Sequence, residues 1–132
     1  MQIEKIDHVN LRTNDLPKMV AWYTNILGLH SGDRPTFPFH GAWLYAGKKA
    51  IIHLVEVNNN PGFGSESDLK LEHFALSAKG KTEFEAKLLA SGEKYQTNEV
   101  SDIGVIQYNL WDPDGNHIHI DFQLHELLCA FS

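Results

Sequence analysis

Four histidines in this chain stand where imidazoles could act together: His8, His53, His73 and His119. They form two pairs. His8 lies in Ile6-Asp7-His8-Val9-Asn10-Leu11 and His73 in Leu71-Glu72-His73-Phe74-Ala75-Leu76, two stretches that share the order apolar, acid, histidine, apolar, small or polar, leucine. His53 lies in Ile52-His53-Leu54 and His119 in Ile118-His119-Ile120. The first pair is offset by 65 residues and the second by 66, about half of the 132-residue chain. A repeat at half the chain length predicts two copies of one unit, with the histidines at equivalent inward positions. Convergent neutral imidazoles suit one divalent transition ion per site (zinc, nickel, iron, cobalt or manganese) and suit magnesium or calcium poorly. A structural zinc site usually draws on cysteine, and the only cysteine, Cys129, lies outside the constellation. An open, functional site is therefore expected. His117 shares the parity of His119 and competes for its role, but is read as a rim residue. His30, His40 and His125 fall in or near loops and are read as solvated.

The elements that would position these residues follow from hydropathy periodicity. Residues 5–12 alternate as a half-buried strand with Ile6, His8, Asn10 and Arg12 on one face. Asn14-Asp15 offers a helix N-cap, Pro17 is tolerated in the first turn, and Gly28 closes the helix. Residues 31–41, with two glycines and two prolines, read as a loop. Residues 42–46 and 50–57 read as a hairpin in which Ile51, His53 and Val55 share a face. Asn58 to Gly64 is the obvious linker. The second copy gives a strand at 70–78, a helix from Lys81 or Thr82 to about Gly92, a weak strand at 94–100, and a hairpin of 104–111 with 116–123 about Asp112-Pro113-Asp114-Gly115. His117, His119 and Asp121 then share one face of the last strand, with Gln107 and Asn109 on the matching face of its neighbour. The expected fold is α+β: two tandem β-α-β-β-β modules forming a curved, half-barrel-like mixed sheet with helices on its outer face. It makes one domain over 1–132, with module one at 1–60, a linker at about 58–68, module two at 69–123 and a tail at 124–132 that adds a short helix.

The chain's net charge of −6 argues against nucleic acid and anionic membrane as partners, since both demand a basic face. A single cysteine permits no internal disulfide, and the first residues carry Glu4, Lys5 and Asp7 instead of a signal-peptide apolar run. A soluble, cytoplasmic domain is expected.

The strand with His8, the helix ending Trp22-Tyr23-Thr24-Asn25-Ile26-Leu27-Gly28, the strand with His73, and the turn Asp112-Pro113-Asp114-Gly115-Asn116 leading into Ile118-His119-Ile120 resemble the vicinal oxygen chelate superfamily. That superfamily includes glyoxalase I, fosfomycin-resistance enzymes, extradiol dioxygenases and bleomycin-resistance proteins. Gly41-Ala42-Trp43-Leu44 followed by Ile52-His53-Leu54 is similar to glyoxalase-like members. The resemblance implies metal ligands at His8, His53, His73 and His119. It also marks a departure, because the position of His119 usually holds glutamate. It implies a glyoxalase-type lyase or isomerase whose metal chelates two vicinal oxygens and stabilises an enediolate-like anion. His53, His119 or Asp121 would serve as the base, while the parity of Glu56 puts it on the wrong face. Arg12, at the position of a carboxylate-binding arginine, with Asn10, Gln107 and Asn109, would bind the substrate. Arg12 stands four residues along the strand from His8, roughly 13 Å, so the substrate must be longer than a bare dicarbonyl. The alternatives implied are a ligand-sequestering protein of bleomycin-resistance type and an extradiol-type dioxygenase. A homodimer is expected, with His8 and His53 of one chain sharing the metal with His73 and His119 of the other.

Overall fold

The computed structural model describes residues 1–58 and 71–125. The chain divides into two compact units, Met1–Phe63 and Gly64–Ser132. The first holds β1 (Val9–Thr13), α1 (Leu16–Asn25), β2 (His30–Gly32), β3 (Gly41–Ala46) and β4 (Lys49–Glu56). The second holds β5 (Phe74–Ser77), α2 (Lys81–Ser91), β6 (Gln96–Val100), a single 3₁₀ turn at Ser101–Ile103, β7 (Val105–Trp111) and β8 (His117–Gln123). Each unit is one four-stranded mixed sheet, ordered β1-β4-β3-β2 and β5-β8-β7-β6. In both, the first strand runs parallel to the last and the other neighbours are antiparallel. This is the α+β arrangement of two tandem β-α-β-β-β modules.

In the first unit Leu11, Leu44, Ile52 and Leu54 face the helix side with Met19, Trp22 and Tyr23 of α1, and all are buried. Asp15 caps α1 by accepting from the Lys18 N–H at 3.2 Å. The helix ends at Asn25, and Gly28, at φ +71°, reverses the chain as the Gly28 and Leu29 N–H groups donate to the Thr24 and Tyr23 carbonyls. In the second unit Phe84 of α2 meets Tyr108 and Phe122 edge-on or tilted, with centroids 5.8 and 5.7 Å away. Glu85 ties the helix to the sheet by accepting from the Tyr108 hydroxyl at 2.9 Å and the Tyr95 hydroxyl at 3.4 Å.

Three expectations are corrected. Residues 31–41 are not all loop, because His30–Gly32 pairs with β3 as an edge strand. Three residues containing Ser31 and Gly32 carry no alternation, so periodicity misses them. The two leading strands also begin later than the alternation suggests. Parallel pairing starts at Val9 opposite Ile52 and at Phe74 opposite Ile118, which leaves His8 and His73 immediately ahead of the ladders. Finally, His30 lies in β2, stacked on Tyr45 with centroids 5.8 Å apart. Most of the expected linker and nearly all of the expected tail helix lie outside the described residues.

Candidate metal centre

Pairing register explains which side chains share the polar face of each sheet. Asn10 and Trp43 lie opposite His53, and Ala75 and Asn109 lie opposite His119. Side chains alternate along a strand, so His53 and His119 leave the helix-covered face, while their neighbours Ile52, Leu54, Ile118 and Ile120 fill it.

The two units build the same local device. In the first, the His8 ring stacks on His53 with centroids 3.8 Å apart and planes at 10°. In the second, His73 stacks on His119 at 3.9 Å and 11°. The acid that precedes each leading histidine holds its Nδ1. His8 Nδ1–H donates to Asp7 Oδ1 at 2.8 Å, and His73 Nδ1–H donates to Glu72 Oε2 at 2.6 Å. A carboxylate can only accept, so the proton sits on Nδ1 and the Nε2 lone pair stays available. Carboxylate partners of this kind orient metal-binding histidines. The His8 and Lys49 hydrogen bonds hold the Asp7 carboxyl down at about 2, and the His73 hydrogen bond likewise lowers that of Glu72.

His53 and His119 are both 8% exposed. Burial, and next the neighbouring imidazoles His8 and His73, lower their tendency to protonate. For His53 a backbone hydrogen bond to Ala50 acts the other way. A ligand imidazole must be neutral, so burial favours the form a metal needs.

His117 is not a rim residue. Its side chain is 9% exposed, and its ring meets His119 edge-on at 4.8 Å. One nitrogen from each of His73, His117 and His119 lies within 4.8 Å of the others, not far above the about 3.4 Å between two nitrogens on one tetrahedral zinc. However, both nitrogens of His117 already face acceptors: Nε2 approaches Asn109 Oδ1 at 2.9 Å and Nδ1 approaches Glu72 Oε2 at 3.2 Å. Asn109 is held in that orientation because its amide donates to the Gln96 carbonyl at 3.2 Å. His117 thus links the outer partner Glu72 to the sheet, whereas His119 Nδ1 is buried with no hydrogen-bond partner. A buried, unsatisfied ring nitrogen is costly, and a cation at that place would satisfy it. The donor set fits a transition ion on this ground.

Asp121 follows on the same face of β8, and its Oδ1 is also buried without a partner. Burial raises its carboxyl above the usual aspartate range, against the opposing pull of His119. Of the expected substrate-binding residues, Asn10 and Arg12 are exposed on the His53 face, and neither has a hydrogen-bond partner among the described residues. Gln107 accepts from Asn98 at 3.3 Å, and Asn109 is engaged as above.

The turn between β7 and β8 sets the register of His117 and His119. The buried Asp112 carboxylate accepts from the Asp114 and Asn116 N–H groups and from the Asn116 side chain, each at 2.9 Å. Gly115 supplies the left-handed conformation at φ +86°. Sequence reasoning missed the roles of Asp7 and Glu72, although the acid-histidine order was visible twice. It also missed Trp43 as the outer layer of a Trp43–His53–His8 stack, at 4.0 Å and 13° from His53.

The sequence profile of the glyoxalase/bleomycin resistance protein/dioxygenase superfamily matches residues 5–120. Among solved structures, the chain is similar to a glyoxylase/bleomycin resistance protein/dioxygenase domain from Frankia sp. EAN1pec, at 21% identity and TM-score 0.77, covering 92% of this chain and 99% of that one. It is similar to a glyoxalase family protein from Enterococcus faecalis, at 19% identity and TM-score 0.74, covering 92% and 99%. It is also similar to the fosfomycin resistance protein FosX from Listeria monocytogenes, at 14% identity and TM-score 0.67, covering 92% and 94%. Identities this low establish the fold and not the reaction. The comparison with curated proteins found no match. No helix among the described residues is long and apolar enough to cross a membrane.

Proposed function

Because the chain belongs to the glyoxalase/bleomycin resistance protein/dioxygenase superfamily, we propose that it is a metal-dependent lyase or isomerase of glyoxalase type, acting on a small substrate with two adjacent oxygens. The observation that supports this most is the twofold occurrence of one device: an acid-held histidine stacked on a buried last-strand histidine. The ligand set is His8, His53, His73 and His119, and His117 positions Glu72 without binding the ion. A divalent transition ion held by neutral imidazoles supplies undiminished Lewis acidity toward the two substrate oxygens.

The remaining chemistry belongs to the chain. Asp7 and Glu72 fix the tautomers of His8 and His73. Asp121 is the proton acceptor: a carboxyl raised by burial lies nearer the working pH and is the better base. It takes the proton from the substrate carbon next to the carbonyl and returns it to the neighbouring carbon. Asn10, adjacent to His53, faces the same substrate. The protein is taken to work as a cytoplasmic homodimer. The single cysteine, which permits no internal disulfide, supports a reducing compartment, and Ile3 and Ile6, each 82% exposed, supply apolar surface for a second copy.

The test is reconstitution of chelator-stripped, tag-free protein with zinc, nickel, cobalt, manganese or iron(II), followed by assay with the hemithioacetal of methylglyoxal and glutathione and with other α-hydroxycarbonyl thiol adducts. Turnover is expected with at least one metal. Asp121→Asn should keep the metal by elemental analysis and lose about 10²- to 10⁴-fold in kcat, the usual contribution of a general base. If no metal form turns over any adduct, the lyase reading fails and a ligand-sequestering role replaces it.

A further inference from the structure

The first unit contains a pocket of about 480 Å³ lined at one side by His8 and His53, the two proposed ligands of this unit, and elsewhere by Trp43, Tyr45 and Lys48, to which the proposed chemistry gives no role. Its walls include Trp43, Tyr45 and His53, and its charged lining is Asp7, Lys48 and Lys49. The volume lies within the roughly 300–1,000 Å³ of small-molecule sites. Two lysines against one aspartate leave the lining at net positive charge, on a chain whose net charge is −6.

The polar groups of this pocket divide sharply. Lys49 Nζ donates to Asp7 Oδ2 at 2.7 Å, and Asp7 Oδ1 is taken by His8. The Tyr45 hydroxyl donates to the Asp33 carbonyl, so Tyr45 offers the pocket its ring. Lys48 has no polar partner among the described residues. It stands in the β3–β4 turn, where Gly47 at φ +61° reverses the chain. The indole of Trp43 stacks on His53 and is tilted against Phe37, with centroids 6.5 Å apart, so the aromatic wall continues beyond the pocket. Phe37 in turn stacks on Phe39 beneath the Arg34 guanidinium, which braces that wall. Arg12 is not part of the lining.

We propose that Lys48 is the anion-recognising residue of this pocket, which takes a small carboxylate with a flat, conjugated or aromatic body laid against Trp43 and Tyr45. The inference rests on the proposed function only in treating the His8–His53 side of the pocket as its reacting end. The ammonium of Lys48 supplies a charge-assisted hydrogen bond, and the rings supply apolar contact that tolerates varied bodies.

The probe is trans-cinnamate, with uncharged trans-cinnamamide as its isostere. Binding is measured by calorimetry at low salt in the presence of chelator, so that the outcome is independent of any metal. Cinnamate is expected to bind about tenfold more tightly than cinnamamide, the difference made by one charged contact. Lys48→Gln should remove that advantage and leave cinnamamide unchanged. Lys48→Arg should restore most of it, and Lys18→Gln, on α1, should have no effect. Trp43→Ala should weaken both probes. Equal binding of the two probes, cinnamate affinity unchanged in Lys48→Gln, or binding of neither probe overturns the proposal. Intact cinnamate binding in a protein that turns over no adduct overturns the lyase reading alone.

Discussion

The acids beside the leading histidines are the residues on which the site's chemistry turns. His73 and His117 both reach Glu72 Oε2, so one carboxylate orients a ligand and the residue that braces it. Glu72→Gln keeps the shape and removes the charge. Zinc affinity, measured by competition with a chromogenic chelator, should fall about 10- to 100-fold, the range for such outer partners. An unchanged affinity would show that Glu72 merely solvates the site. At this scale the sequence was partly legible. Parity along β4 and β8 placed His53, His119 and Asp121 on the polar face, because alternation is a backbone property. Ring stacking and the clamp on His117 depend on the offset between paired strands, which no single strand's alternation contains. The register that sets Asn109 opposite His119 and Trp111 opposite His117 had to be seen.

Among the elements, the β7–β8 hairpin bears most directly on the site, and its turn was legible because Asp, Pro and Gly each have a specific turn role. Asp112 satisfies three donors while 4% exposed. Asp112→Ala should therefore lower the free energy of urea unfolding by about 1–3 kcal/mol, the cost of leaving buried donors unsatisfied. It should also weaken metal binding by releasing His117 and His119. The short β2 was illegible for the opposite reason: Gly32 and the following prolines signal a loop, and only its partner β3 makes it a strand. Helix α2 gives a prediction in pH. Burial first, and then the hydrogen bond to Glu85, raise the Tyr108 phenol above its ordinary value of 10.0. The group whose folded value is raised stabilises the fold fully below pH 10.0 and loses that contribution as pH climbs through the folded value. Unfolding monitored with tyrosinate absorbance should show the contribution of Tyr108 being lost only above pH 10, and Tyr108→Phe should remove that part of the alkaline decline. A tyrosinate step at the ordinary value that disappears in Tyr108→Phe would contradict the contact.

For the whole molecule, the half-length repeat was the most informative feature of the sequence, since offsets of 65 and 66 residues anticipated two like units with histidines at equivalent positions, and the structure adds that each pair is stacked. Composition argued against a basic face for nucleic acid or anionic membrane, but it carried no information about self-association, which depends on where apolar side chains emerge. Among the described residues they emerge at several places, Leu71, Leu89 and Ile103 included, and three fall together ahead of β1: Met1, Ile3 and Ile6. Exposed apolar side chains clustered in one segment are a common mark of a contact surface. A homodimer that covers this segment should dissociate when charge is placed on it, because two desolvated carboxylates have no partners there. Ile3→Asp/Ile6→Asp is therefore expected to shift sedimentation velocity from dimer to monomer at micromolar concentration. The far-UV circular dichroism should be unchanged, since neither residue belongs to a strand or a packed core. A wild-type protein that sediments as a monomer, or a double variant that remains fully dimeric, would remove this segment from any role in assembly.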